Sequence, residues 1–259
     1  MEKMVEYLRK FIKEYWKTLV FFAASGLIGG FFIGLYLLDS YPESILQEIY
    51  AQGLNDVLVG VVCAVQYALY GAVLGAIGII LGKKTGLFKN ERSLTAKPLI
   101  ATAIVAVICG LAMILFDMLW FGRASDVIMD SYATKPTFDF IIASVICGGV
   151  TEEVMLRLFM MTLVAFILHK LFGKGSEVPG TAIVIVANLV SALLFAAGHL
   201  PTTEVLFGLT PLIVLRCFLL NGGIGFLFGW LYHRYGLRYS MIAHATCHVV
   251  SKLIWIIFI

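Results

Sequence analysis

Charge is scarce in this 259-residue chain, where Asp, Glu, Lys and Arg make up only 14% of residues. A soluble domain carries about 25%. With 61% of residues hydrophobic and a mean hydropathy of +0.96, the polar groups cannot cover a water-facing surface. The solvent is therefore lipid, which excludes a soluble enzyme, a nucleic-acid-binding domain and a disordered chain. The net charge of +3 is small and scattered, so it offers no patch for a polyanion. Cysteine motifs are also missing. Cys63, Cys109, Cys147, Cys217 and Cys247 all fall inside apolar runs, without CxxC spacing. They read as small buried hydrophobes and say nothing about redox compartment. No internal repeat, low-complexity tract or linker divides the chain.

What is present is a series of long apolar runs. A helix needs about 20 apolar residues to cross a bilayer core. Residues 18–38, 57–81, 98–121 and 180–200 meet that length. Residues 138–172 are apolar except for one polar cluster, and as one straight helix they would reach about 50 Å at 1.5 Å per residue. The Gly148-Gly149 pair is a place where that run could break. Residues 205–236 contain Pro211, Arg216 and Asn221-Gly222-Gly223, and residues 240–259 make the last run. The expected fold is an all-α polytopic bundle of about eight transmembrane helices, with residues 205–236 crossing twice. Seven spans result if they cross once, and His244 would then lie away from the level of Glu152 and His199, whereas eight spans let these groups share one cavity.

Residues 1–17 mix Leu8, Phe11, Ile12, Tyr15 and Trp16 with Lys and Glu, the pattern of an amphipathic helix lying at the interface. No cleavable signal is evident. Residues 18–137 would form N-terminal membrane helices and 138–259 the functional core. Lys3, Arg9, Lys10, Lys13 and Lys17 precede the first run, and Lys83, Lys84, Lys89, Arg92 and Lys97 follow the second. The loop between those runs has no Lys or Arg but holds Asp39, Glu43, Glu48 and Asp56. The positive-inside rule then places the N-terminus in the cytoplasm. Gly26/Gly30, Gly71/Gly75 and Gly225/Gly229 have the spacing of close helix contacts.

Ionisable groups at membrane depth are costly and are functional candidates by default. This chain has Glu152, Glu153, Arg157, His199, Arg216, His244, His248 and Lys252, with Asp117 nearer a helix end. Glu153 and Arg157, four apart, share a helix face and form a structural ion pair on the ordinary reading. Glu152, rotated about 100° away, is expected to point elsewhere, without a cation of its own, as a general base. His244 and His248 also share a face. An i,i+4 histidine pair can hold a metal, but the Glu of HExxH is absent, with Ala245 in its place. His169 and His233, at span ends beside Lys or Arg, read as interfacial. Arg216 and Lys252 read as paired or snorkelling groups.

These residues resemble the CAAX-protease and bacteriocin-processing family of intramembrane proteases, also called CPBP or Abi proteins. Three motifs carry the likeness. The first is Glu152-Glu153-x-x-x-Arg157, the second Phe195-x-x-x-His199, and the third begins at His244. His248 stands where the family has Asn or Asp. The resemblance covers about residues 138–252. It implies peptide-bond hydrolysis within the membrane, near the end of a prenylated C-terminal peptide or a hydrophobic leader. Glu152 and His199 would activate water, and His244 and His248 would stabilise the oxyanion. Glu153, Arg157 and Phe195 would support them.

Alternatives remain at this level. Glu152, His199, His244 and His248 could instead bind zinc. A transporter or a peptide-binding immunity protein could use Asp117, Arg216 and Lys252 along a path, although no pair of matching interrupted helices is visible. Haem held by His199 and His244 is a further option, though without a CxxCH attachment.

Overall fold

The computed structural model describes residues 2–89, 93–173 and 175–259. Met1 and Arg92, counted above with the basic segments, lie outside the described residues. Among the latter there is no strand, and seven helices are long and apolar enough to cross a membrane. They are α1 (Glu2–Ser40), α2 (Asp56–Thr85), α3 (Ala96–Ala124), α4 (Phe138–Phe172), α5 (Thr181–Phe207), α6 (Pro211–Tyr235) and α7 (Leu237–Phe258). Exposed aliphatic stripes at helical spacing mark faces for lipid, such as Val57, Val61, Val65, Leu69, Val73 and Ile77 on α2. In water such stripes would be an aggregation hazard.

The count of seven corrects the expectation of eight. Residues 205–236 do not cross twice. Residues Leu200–Phe207 extend α5 beyond a bend at His199, and the chain turns at Gly208, whose φ is +71°. Pro201 explains the bend, because proline has no N–H and its ring crowds the preceding turn. Pro211 opens α6 instead of breaking it, since the first helical turn needs no N–H. Residues Asn221-Gly222-Gly223 do not break α6 either, because a π-helical stretch, Phe218–Gly223, absorbs them.

The N-terminal segment also differs from expectation. Residues 2–17 are not a separate in-plane helix; they are the first turns of an unbroken α1. Phe11 and Tyr15 are buried, and the Tyr15 ring meets Phe88 edge-on at 5.9 Å. Phe11 and Tyr15 therefore face protein, while Leu8, Ile12 and Trp16 stay exposed.

Helix α4 is central, touching α1, α2, α5, α6 and α7. Glycines set its distances. A Cβ on Gly29 of α1 would stand 2.8 Å from the Cys147 nitrogen, and one on Gly149 would stand 2.6 Å from the Ala245 Cβ of α7. The small-residue pairs are contacts as expected. Gly26 and Gly30 face the α2 backbone at Tyr67 and Cys63, and Gly71 faces that of α1 at Phe22. Gly225 faces Arg157 and Phe195, and Gly229 makes room for Asn188.

Candidate active site

The polar cluster of α4 lies in wide-turned helix. Residues Ala143–Glu152 and Val154–Met161 are π-helical, with Gly148-Gly149 inside the first stretch rather than at a break. A π turn has i→i+5 hydrogen bonds and so rotates fewer degrees per residue than an α turn. Contrary to expectation, Glu152 does not point away from the neighbours of Glu153, because the two carboxylates approach opposite nitrogens of one ring. Both carboxylates reach the same imidazole. Glu153 Oε1 is 2.8 Å from His244 Nδ1, and Glu152 Oε2 is 3.9 Å from His244 Nε2.

Glu153 and Arg157 are fully buried and pair at 3.5 Å. The contact is an ion pair without hydrogen-bond geometry. Glu153 Oε2 and Arg157 Nε and Nη2 have no hydrogen-bond partner among the described residues. The guanidinium lies over the Phe195 ring at 5.2 Å, and Nη1 donates to Ser191 Oγ at 3.5 Å. Ser191 in turn donates to the Leu156 carbonyl at 2.6 Å, which ties α5 to α4.

Hydrogen bonding fixes two histidine tautomers. A carbonyl can only accept, so the 2.9 Å contact of His199 Nδ1 with the Phe195 carbonyl places a proton on Nδ1. In the neutral ring Nε2 is then bare and able to take a proton. His244 Nδ1 likewise donates to Glu153. Its Nε2, nearest Glu152, carries a hydrogen only when the ring is doubly protonated. His248 stacks on His244 with centroids 5.0 Å apart, and its Nδ1 is buried without a partner among the described residues. Phe195 meets His199 edge-on at 4.7 Å, and Phe228 stacks on His244 at 4.6 Å. Gly148 admits the second histidine, since a Cβ there would lie 3.0 Å from His248 Nε2.

Glu152, Phe195, His199, His244 and His248 line one cavity of about 340 Å³. Glu152 is the more open of the two carboxylates, with 23% of its side chain exposed. The histidines do not separate in a seven-span chain, contrary to expectation. The corner between α6 and α7 is tied to Lys89 and Thr95. Lys89 Nζ donates to the Arg234 carbonyl at 2.7 Å, and the Thr95 N–H donates to the Tyr239 hydroxyl at 3.0 Å. His244 lies about 10 Å along α7, where it meets α4.

A second cavity of about 390 Å³ adjoins the first and shares Tyr36, Phe140, Phe207, Arg216 and Lys252 with it. It extends to Asp39, Ser40, Lys135 and Thr137, at the loop end of the bundle. Arg216 is paired there, with Nε and Nη2 donating to Asp117 at 2.6 and 2.5 Å. Tyr132 donates to the same carboxylate at 2.8 Å. Burial, then the nearby Asp117 charge, pushes the Tyr132 hydroxyl well up, so it stays a donor. Lys252, only 5% exposed, holds its ammonium 3.9 Å from the Phe140 ring centroid.

Asn221 also lines the first cavity, which sequence reading missed by treating it as a turn residue. Its amide donates to the Cys217 carbonyl at 3.1 Å. An Asn flanked by membrane-length apolar sequence was the signal. The four proposed zinc ligands fit a metal poorly: among the described residues no three His, Cys, Asp or Glu side chains gather at metal-holding spacing. His244 Nδ1 and His199 Nδ1 are held by protein oxygens, which leaves the Nε2 atoms as their available metal donors. His169 and His233 lie away from the cavity, near the ends of α4 and α6.

Residues 134–250 match the profile of a family described as type II CAAX prenyl endopeptidase Rce1-like. That span contains all three motifs and excludes α1, α2 and α3. No curated protein and no solved structure matches the chain.

Proposed function

We propose that this chain, whose residues 134–250 match the Rce1-like type II CAAX prenyl endopeptidase family, hydrolyses a peptide bond near the end of a membrane-associated or lipidated peptide. One observation carries the reading. A partly open carboxylate and a histidine with a bare nitrogen share a cavity at membrane depth with a second, carboxylate-clamped histidine.

Glu152 and His199 Nε2 hold and deprotonate a water, which attacks the scissile carbonyl. Glu153 holds the His244 ring by its Nδ1–H, and in the doubly protonated ring the Nε2–H faces the developing oxyanion. His248 supplies the adjacent donor. Arg157 balances Glu153, and Phe195 supports both the guanidinium and His199. With both carboxylates ionised, Arg157 and a doubly protonated His244 make this cluster neutral. A proton that Glu152 takes from the water is balanced by the oxyanion formed with it, so the step leaves no net charge in the membrane. No step is routed through a metal, because the donor set does not gather ligands for one.

The same reading gives an orientation. With seven spans, Arg234 and Arg238 lie on the side of Lys83, Lys84 and Lys89, the side from which α1 begins. The positive-inside rule makes that side cytoplasmic. The cavity pair then opens at the opposite face, by Asp39 and Lys135, and lipid borders the exposed helix faces. Cysteine labelling at Lys135 and Gly236 tests this: a membrane-impermeant reagent applied from the outside should modify only the former.

The test of chemistry is cleavage of farnesylated C-terminal peptides and hydrophobic leader peptides by the purified full chain and its Glu152→Gln variant, with and without chelator. Cleavage lost in a folded variant and unchanged by chelator is expected. Full activity of the variant would overturn the assignment of Glu152, and chelator-sensitive turnover would overturn the metal-free mechanism.

A further inference from the structure

We infer that Lys252 is the receptor for a free C-terminal carboxylate of the substrate, placed three residues beyond the bond that is cut. The inference rests on the protease reading and narrows it to peptides that end just past the scissile bond.

His244, His248 and Lys252 are successive turns of one face of α7, and all three line the catalytic cavity. Lys252 also lines the adjoining cavity, so it stands at the neck between the two. The neck has a second cation, Arg216, whose charge is met by Asp117. Lys252 has no such match. No carboxylate of the described residues stands within ion-pair distance of it, and its near neighbour is the Phe140 ring. A ring face offsets only part of the cost of burying an ammonium. The side chain is thus a buried cation, aimed into a cavity, that lacks an anion.

The spacing suits a tripeptide. Helix rise puts Lys252 about 6 Å beyond His248 and about 12 Å beyond His244. Three extended residues reach about 10 Å. A carbonyl held by the histidine pair would therefore leave a C-terminal carboxylate at the Lys252 ammonium. Tyr36, Phe140 and Phe207 at the neck would surround apolar side chains between the two points. Lys252 lies beyond the residues matched to the family, so the family motifs do not account for it.

The experiment uses a fluorescent peptide with a farnesylated cysteine and three apolar residues, made as the free acid and as the C-terminal amide. Binding to the full-length Glu152→Gln protein in detergent is measured for both, alongside hydrolysis by the wild-type chain. The amide should bind about tenfold or more weakly than the acid, the usual loss when a buried charge pair is broken. Adding Lys252→Met should weaken the acid to the level of the amide and leave the amide unchanged, whereas Lys252→Arg should preserve the difference. Equal binding of acid and amide, equal weakening of both by Lys252→Met, or no binding of the acid would overturn the inference. The acid–amide comparison needs no change at Lys252, so it decides even where Lys252→Met does not fold. Hydrolysis separates the two readings. Cleavage of acid and amide alike removes the carboxylate site and leaves a protease. Acid-selective binding without any cleavage removes the protease and leaves the site.

Discussion

Two charged clusters sit inside this membrane protein, and they are built on different principles. The Asp117–Arg216–Tyr132 cluster is closed: the guanidinium donates to both carboxylate oxygens, and a tyrosine hydroxyl donates to one of them. The Glu152–Glu153–Arg157–His244 cluster is left partly unmatched, with three buried polar atoms lacking hydrogen bonds and one carboxylate reaching the cavity. A satisfied pair holds helices in place. An unsatisfied set, held rigid by its neighbours, retains atoms that can interact with water or substrate. The difference, rather than charge alone, is what assigns the proposed chemistry to the second cluster, since both are at membrane depth.

The comparison can be broken most decisively at Glu152. Glu152→Gln is expected to lower kcat by about a thousandfold or more while leaving the melting temperature in detergent unchanged. His199→Ala should cost about a hundredfold in the same assay, since it removes the proton acceptor but keeps Glu152. In the closed cluster the effect should be on stability. Arg216→Met strands a buried carboxylate and should cost about 3–5 kcal/mol by denaturant unfolding, and adding Asp117→Asn should recover most of it. The pair Glu153→Gln with Arg157→Met should recover stability in the same way but not activity, because His244 loses its clamp. If that double variant stays fully active, the two clusters are of one kind. The smallest effect sharpens the picture. Gly148→Ala, whose Cβ would press on His248 Nε2, should reduce kcat about tenfold with little loss of stability.

Sequence reading reached the span positions because lipid solvation writes them in long apolar runs. The α4 run was bounded at Phe138 and Phe172, as observed. It reached the site because ionisable side chains stand out against such a background. It failed where geometry departs from the α-helix. A rotation of about 100° between Glu152 and Glu153 suggests different neighbours, but the His244 ring spans the gap and meets one carboxylate at each nitrogen. Pro211 and Asn221-Gly222-Gly223 looked like breaks because composition does not reveal an N-terminal turn or a π turn. Eight spans seemed necessary for His244 to reach Glu152, because the α6–α7 corner is held by contacts from Lys89 and Thr95, about 140 residues away in sequence. The Glu153 bond to His244, which joins α4 to α7, was likewise invisible to a rule about neighbours on one helix.

The wide turns of α4 make its length matter as much as its composition. Between Phe138 and Glu152 the chain carries more residues per turn than an α-helix, so the carboxylates face α7 only while that surplus is kept. Deleting one residue between Ala143 and Thr151 would let the helix relax to α geometry with every side chain intact in type. Glu152 and Glu153 would then swing around the axis relative to the lipid-exposed end at Phe138. Single-residue deletions in this stretch should therefore abolish function where conservative substitutions are borne, while the same deletions among residues 131–137 should be tolerated. The α4 helix keeps its register by count, much as a combination lock does.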